Sequence, residues 1–178
     1  WGRDLSLSVN LSPRQLVVDG LVDAVQESIV SHGIDAAALC LETTETAVMA
    51  DIESSIGLMR MMRNLGVQLS IDDFGTGYSS LNYLKSLPLT TLKIDRSFID
   101  GLGHDPHDTS IVEAVVALGR ALGMRVHAEG VERADQLAEL RRIGCDDAQG
   151  WLWAPAMAPR EFEAWMDARA DRATTPPD

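Results

Sequence analysis

The sequence predicts an α/β chain: a modified β/α barrel of the TIM type, N-terminally truncated, with about six of its strands present. Three observations predict it. Six short apolar runs alternate with longer segments of helical period, which calls for parallel strands joined by helical crossovers. No Gly-x-Gly-x-x-Gly turn follows a strand, so nothing supports an open dinucleotide-binding sheet. Charged and amide side chains recur at the carboxyl ends of the strands, where a barrel builds its site. An eight-strand barrel takes about 250 residues, the chain has 178, and a six-strand sheet leaves edges that proteins avoid. At least one strand is therefore expected before Trp1.

The elements follow in order. Leu5 to Leu11 alternates apolar and small polar residues, a strand of period two. Pro13 to His32 carries Leu16, Leu21, Val25 and Ile29 at helical spacing and stops at Gly33. Ala38 to Glu42 is a strand, Ala47 to Leu65 a helix closed by Gly66, and Val67 to Ile71 a strand. Tyr78 to Lys85 is a short helix and Thr91 to Ile94 a strand. Thr109 to Leu122 is a helix closed by Gly123, and Arg125 to Ala128 a strand. Ala134 to Ile143 is a helix closed by Gly144, followed by a short strand at Asp147 to Gln149 and a last helix at Pro159 to Ala170. One domain over residues 1–172 results, with a disordered tail at 173–178.

Composition narrows the function classes. The net charge is −12, which repels long nucleic acids and argues against duplex DNA or RNA as a partner. A small phosphate ligand stays open, provided bound cations invert the local field. Cys40 and Cys145 lack the paired spacing of a zinc site and read as free thiols of a reducing compartment. No apolar run approaches the roughly 20 residues of a membrane helix. Trp1-Gly2-Arg3-Asp4 is neither a signal peptide nor a natural start, and reads as a cut through a longer chain.

The polar strand ends are Asn10, Glu42, the pair Asp72 and Asp73, Lys93 with Asp95, Glu129 and Gln149. Taken singly, each has an ordinary reading. An acid after a strand commonly starts a helix, where its charge suits the helix dipole, and Glu45 and Glu132 look especially like first-turn acids. Asp72 to Gly77 alone could be a βα turn. His127, inside an apolar strand, reads as a core histidine. The methionines Met49, Met59, Met61 and Met62 read as helix packing. The combination weakens those readings. Four acids and an asparagine at one barrel mouth repel one another unless they hold cations. All-oxygen donors favour a hard ion, Mg²⁺ or Mn²⁺ ahead of Ca²⁺. Two such ions about 3.5–4 Å apart suit phosphodiester hydrolysis. The adjacent acids raise one geometric demand. Successive strand side chains point to opposite faces, so both reach the pocket only if the chain turns immediately after Asp72.

These residues resemble the EAL domain family. The resemblance is carried by Ser8-Val9-Asn10-Leu11-Ser12, Leu41-Glu42-Thr43-Thr44-Glu45, Ser70 to Leu81 around Asp72-Asp73-Phe74-Gly75-Thr76-Gly77, Leu92-Lys93-Ile94-Asp95-Arg96-Ser97-Phe98-Ile99, Ala128-Glu129-Gly130-Val131-Glu132, and Ala148-Gln149-Gly150. It implies a barrel that hydrolyses cyclic di-GMP to linear pGpG with two Mg²⁺ or Mn²⁺ ions, Ca²⁺ being inhibitory. It implies Asn10, Glu42 and Asp72 as ligands of the first metal, Asp72 and Asp73 as ligands of the second, and Glu129 as a metal ligand or general base. Lys93 would hold the water and offset developing charge. Gln149 would contact the substrate, with Asp95 beside it as substrate contact or support. Glu45, Gly75 and Thr76 would anchor the Asp72–Tyr78 loop, and Glu132 would support the site. A cytoplasmic homodimer is implied, without membrane contact of its own, often fused behind a diguanylate cyclase-like (GGDEF) or sensor domain.

Three departures qualify the resemblance. The Glu-Ala-Leu motif, whose Glu is a metal ligand in the family, belongs upstream of Trp1, so the chain as it stands is expected to be weak or inactive. Thr43 replaces an apolar residue. Trp151 to Met157 departs from the family's Tyr-Leu-Phe-Ser-(basic)-Pro, losing the basic residue and moving the proline. The alternatives are a catalytically silent cyclic di-GMP receptor or dimerisation module, and an unrelated metal-dependent barrel acting on other diesters.

Overall fold

The computed structural model describes residues 5–75 and 81–173. Its elements run β1 (Leu7–Asn10), α1 (Pro13–Leu16), α2 (Leu21–His32), a 3-10 turn (Ala36–Ala38), β2 (Leu39–Thr44), α3 (Glu45–Met49), α4 (Ile52–Asn64), β3 (Gln68–Phe74), α5 (Leu81–Leu84), β4 (Thr91–Ile94), α6 (Arg96–Asp100), α7 (Pro106–Leu122), β5 (Arg125–Ala128), α8 (Ala134–Ile143), β6 (Asp147–Ala148) and α9 (Pro159–Ala173). The six strands form one sheet in the order β1-β2-β3-β4-β5-β6, and every pair is parallel. The sheet curls into an incomplete TIM-type barrel, as expected.

Register decides which side chains share the inner face. Asn10 lies beside Glu42, Glu42 beside Ser70, Thr44 beside Asp72, Lys93 beside His127, and His127 beside Asp147. Strand alternation then sends Ser8, Cys40, Glu42, Ser70, Lys93, His127 and Asp147 inward, around a cavity of about 540 Å³. The opposite side chains pack under the helices. Leu69, Ile71, Leu92, Ile94, Val126 and Ala128 are all buried in the main core with Val112, Val115 and Val116 of α7. At Gly119 α7 lies so close to β5 that a Cβ would stand 2.3 Å from Val126 Cγ2. By contrast, all four residues of β1 are exposed, Leu7 to 62%.

Several boundaries differ from the expectation, each for a local reason. The helix expected over Pro13–His32 is two helices, parted at Gly20 with φ 88°. The helix expected over Ala47–Leu65 is likewise split, because Asp51 accepts from Ser54 N at 3.2 Å and starts α4 afresh. α7 begins at Pro106, capped by Asp105, which accepts from His107 N at 2.7 Å. α6 was not anticipated. β2 and β3 run past Glu42 and Ile71, to Thr44 and Phe74. α9 continues to Ala173. The short helix expected from Tyr78 is seen over Leu81–Leu84, and Tyr78–Ser80, Thr76 and the tail from Thr174 lie outside the described residues. No helix among the described residues is long and apolar enough to cross a membrane.

Candidate active site

Lys93 organises the barrel mouth. It is the penultimate residue of β4 and only 5% exposed. Its Nζ lies 2.6 Å from Glu42 Oε2 on β2, 3.2 Å from Asp72 Oδ1 on β3 and 2.5 Å from Glu129 Oε1 just after β5. Three strands thus deliver one carboxylate each to a single ammonium. Burial pushes the lysine pKa down, but hydrogen bonds and charge from Glu129 and Glu42 outweigh it and hold the pKa above its ordinary value. Glu129 has its own pKa raised, first by burial and then by Asp72 and Glu42, against the lowering pull of Lys93. A carboxylate tuned upward in this way is a stronger base than a free one.

Glu129 is also gripped from the far side. Gln149 follows β6, and its Nε2 donates to Glu129 Oε1 at 2.7 Å. Its backbone N donates to Ala128 O at 2.9 Å and its carbonyl accepts from Val131 N at 3.0 Å. The Glu129 and Gln149 loops are therefore zipped together by main-chain bonds. Gly150 permits this approach: a Cβ there would lie 2.1 Å from Val131 O and 2.3 Å from Val131 N.

The adjacent acids meet the geometric demand in a specific way. The β3–β4 register shifts between Ile71 and Phe74, and Asp73 has φ 55°, the one positive φ outside glycine among the described residues. This bulge turns the chain between the two acids. Asp72 Oδ1 accepts from Asp73 N at 3.1 Å. The Asp73 pKa is raised, by burial first and then by Asp72 and Asp95. Gly75 follows at φ 99°, with Phe98 packed 3.2 Å from where its Cβ would be.

The remaining expected residues divide. Asn10, at the end of β1, sits in register with Glu42 on the same face but is exposed. Asp95 caps α6, accepting from Ser97 N at 3.0 Å and Ser97 Oγ at 2.5 Å, and hydrogen-bonds Asp73. Asp95 thus stands side chain to side chain with Asp73. Glu45 starts α3, 6% exposed, and its Oε2 finds no hydrogen bond among the described residues. The loop it was expected to anchor continues into residues 76–80. Glu132 Oε1 lies 2.8 Å from Arg96 Nη2. His127 faces the barrel interior beside Lys93 rather than the apolar core, and burial followed by the Lys93 charge lowers its pKa. Arg96 and Trp151 meet at this mouth, the guanidinium carbon 5.8 Å from the ring centroid. Their pairing joins residues 55 positions apart, which no local pattern reveals.

The donor set fits a hard divalent ion in its chemistry: Asn10, Glu42, Asp72, Asp73 and Glu129 offer only oxygen. Among the described residues no three acids stand together as a ready-made cage. Lys93 bonds to three of them instead.

Fold and site together define a parallel β/α barrel with a carboxylate–lysine cluster at the carboxyl ends of its strands. The chain belongs to the EAL domain family, whose profile matches residues 1–156. A Pseudomonas aeruginosa protein described as the bifunctional diguanylate cyclase/cyclic di-GMP phosphodiesterase MucR is 46% identical over 161 residues, covering 90% of this chain and 24% of that protein. The cyclic di-GMP phosphodiesterase NbdA of the same species is 42% identical over 172 residues, covering 97% of this chain and 22% of that protein. The chain thus spans about a quarter of the length of these relatives. The crystal structure of the EAL domain of Mycobacterium smegmatis DcpA superposes with a TM-score of 0.88 at 46% identity, covering 94% of this chain and 75% of that one. A complex of the PaMucR phosphodiesterase with c-di-GMP superposes with a TM-score of 0.84 at 46% identity, covering 88% of this chain and 64% of that one.

Proposed function

We propose that this chain is the catalytic part of a metal-dependent phosphodiesterase that hydrolyses cyclic di-GMP to linear pGpG. The observation that carries the reading is the convergence of Glu42, Asp72 and Glu129 on buried Lys93 at the barrel mouth. Relatives described as cyclic di-GMP phosphodiesterases support the substrate.

Asn10, Glu42, Asp72 and Asp73 would hold two Mg²⁺ or Mn²⁺ ions, which when bound supply an acidified water and neutralise phosphate charge. The rest falls to the chain. Glu129 accepts the proton of the attacking water as the water oxygen bonds to phosphorus. Gln149 keeps Glu129 in place for that transfer. The ammonium of Lys93 offsets the negative charge that builds on the phosphoryl oxygens. The P–O3′ bond breaks, and the released 3′ oxygen takes a proton from solvent. Asp95, by holding Asp73, fixes the second acid of the pair. The resemblance also leads us to propose a cytoplasmic homodimer.

The test is an assay on cyclic di-GMP of this chain extended upstream to include Glu-Ala-Leu, beside its Glu129→Gln variant. Turnover with Mg²⁺ or Mn²⁺, lost in Glu129→Gln and absent with Ca²⁺, is the expected result. Binding without any cleavage would overturn the enzyme reading in favour of a receptor. Equal rates with Ca²⁺ and Mg²⁺ would overturn the tight two-metal reading.

A further inference from the structure

Beside Glu129 a cleft of about 680 Å³ opens toward Trp151, Trp153 and Trp165. Its acidic lining residues are Glu129 and Glu132, and among the described residues its one basic side chain is Arg96. For an anionic ligand approaching a domain of net charge −12, Arg96 is the positive group this otherwise neutral and acidic lining offers.

Arg96 is held in an unusual way. It is the first residue of α6, and its aliphatic stem crosses Gly130, where a Cβ would stand 2.4 Å from Arg96 Cγ. Gly130 has φ 72°, so the turn after Glu129 is shaped around that stem. Beyond it, Nη2 reaches Glu132 Oε1 at 2.8 Å and Nε lies 3.4 Å from Asp100 Oδ1. The guanidinium also stands 5.8 Å from the Trp151 ring centroid. Nη1 has no hydrogen bond among the described residues. The side chain is 50% exposed and Trp151 is 67% exposed. Solvent-exposed ion pairs add little to folding. An arginine paired with a carboxylate and set beside an indole, with Nη1 carrying no hydrogen bond among the described residues, suits recognition better than stability. The sequence offers a complementary fact: the Trp153-Ala154-Pro155 loop carries no basic residue, so Arg96 supplies the cation of this lip from the start of α6.

We propose that Arg96 is a specificity-determining residue: fixed by Glu132 and Trp151, its guanidinium meets a phosphate of the ligand in the cleft beside Glu129. The proposal rests on the reading of the site as a cyclic dinucleotide site. It is tested by calorimetric titration of Mn²⁺ and then cyclic di-GMP into the wild type, Arg96→Ala and Arg96→Lys. Cyclic di-GMP affinity should fall about tenfold or more in Arg96→Ala. Lysine, which keeps the charge but loses the fork and the stacking on Trp151, should recover only part of it and stay about threefold or more below wild type. Mn²⁺ affinity should be the same in all three, a result that general unfolding could not give. Unchanged cyclic di-GMP affinity in Arg96→Ala would overturn the proposal, as would a lysine variant as weak as the alanine one. A wild type that takes Mn²⁺ but no cyclic di-GMP would overturn the functional reading itself, and this role of Arg96 with it.

Discussion

At the scale of single residues, Lys93 stands out because it is a cation at the centre of a predominantly acidic site. Removing one member of a buried charged set costs about 3–5 kcal/mol, since the remaining charges stay buried and unpaired. Lys93→Ala is therefore expected to lower stability by that order in metal-free protein, measured by urea denaturation. Mn²⁺ should restore part of the loss by taking over the role of counter-charge, and hydrolysis should stay abolished. His127 gives a second prediction, on pH. Its folded-state pKa lies below the ordinary value of 6.5, chiefly through burial. Between those two values the unfolded chain binds more protons than the folded one, so stability falls as pH drops through that window. His127→Gln should flatten the slope between pH 7 and pH 5, read as the change in urea midpoint. An identical slope in both proteins would refute the assignment. Asp73 shows how far residue identity carries: the Asp-Asp pair announced that the chain must turn, but its left-handed φ and the β3–β4 bulge come from pairing with a strand some 20 residues away.

At the scale of elements, two glycines of the same type should respond in opposite directions. Gly150 sits against the backbone of Val131, with 2.1 Å left for a Cβ. Backbone cannot step aside as a side chain can, so Gly150→Ala is expected to cost about 2 kcal/mol or more. It should also part Gln149 from Glu129 and lower activity. Gly57 lies inside α4 with nothing within 4 Å of a Cβ. Gly57→Ala should stabilise by about 0.5–1 kcal/mol through helix propensity. Thermal denaturation of the two variants checks both signs. Strand identities were legible because alternation and apolar runs are local. Helix breaks at Gly20 and Asp51 were less so, since apolar periodicity continues across both interruptions. The start of α7 at Asp105-Pro106 and the short α6 depend on capping bonds that hydrophobic pattern does not display.

At the scale of the whole molecule, the site exists only because the sheet is parallel and curled. Residues from Asn10 to Gln149 meet at one mouth because every strand ends there. A concentrated group of acids in a chain of net charge −12 repels itself, and bound cations would relieve that repulsion. Divalent ions that bind the folded form alone should stabilise it by about 2.7 kcal/mol at a hundredfold excess over Kd. Adding Mn²⁺ should thus raise the melting temperature, EDTA should reverse the effect, and Glu42→Gln should blunt it. A melting temperature indifferent to Mn²⁺ would contradict the metal reading.

By itself, the sequence determined the strand–helix alternation, the polar strand ends and the family motifs, because each is written within a few consecutive residues. The tertiary structure alone decided how those motifs combine. It placed Lys93 against Glu42, Asp72 and Glu129, bound the Glu129 and Gln149 loops backbone to backbone, and laid Arg96 across Gly130 toward Trp151. These are contacts between distant segments, fixed by strand register and by the close approach of main chains. Neither leaves a periodic trace in the chain, so the members of the cluster could be named from their strand ends and their pairwise contacts came only from folding.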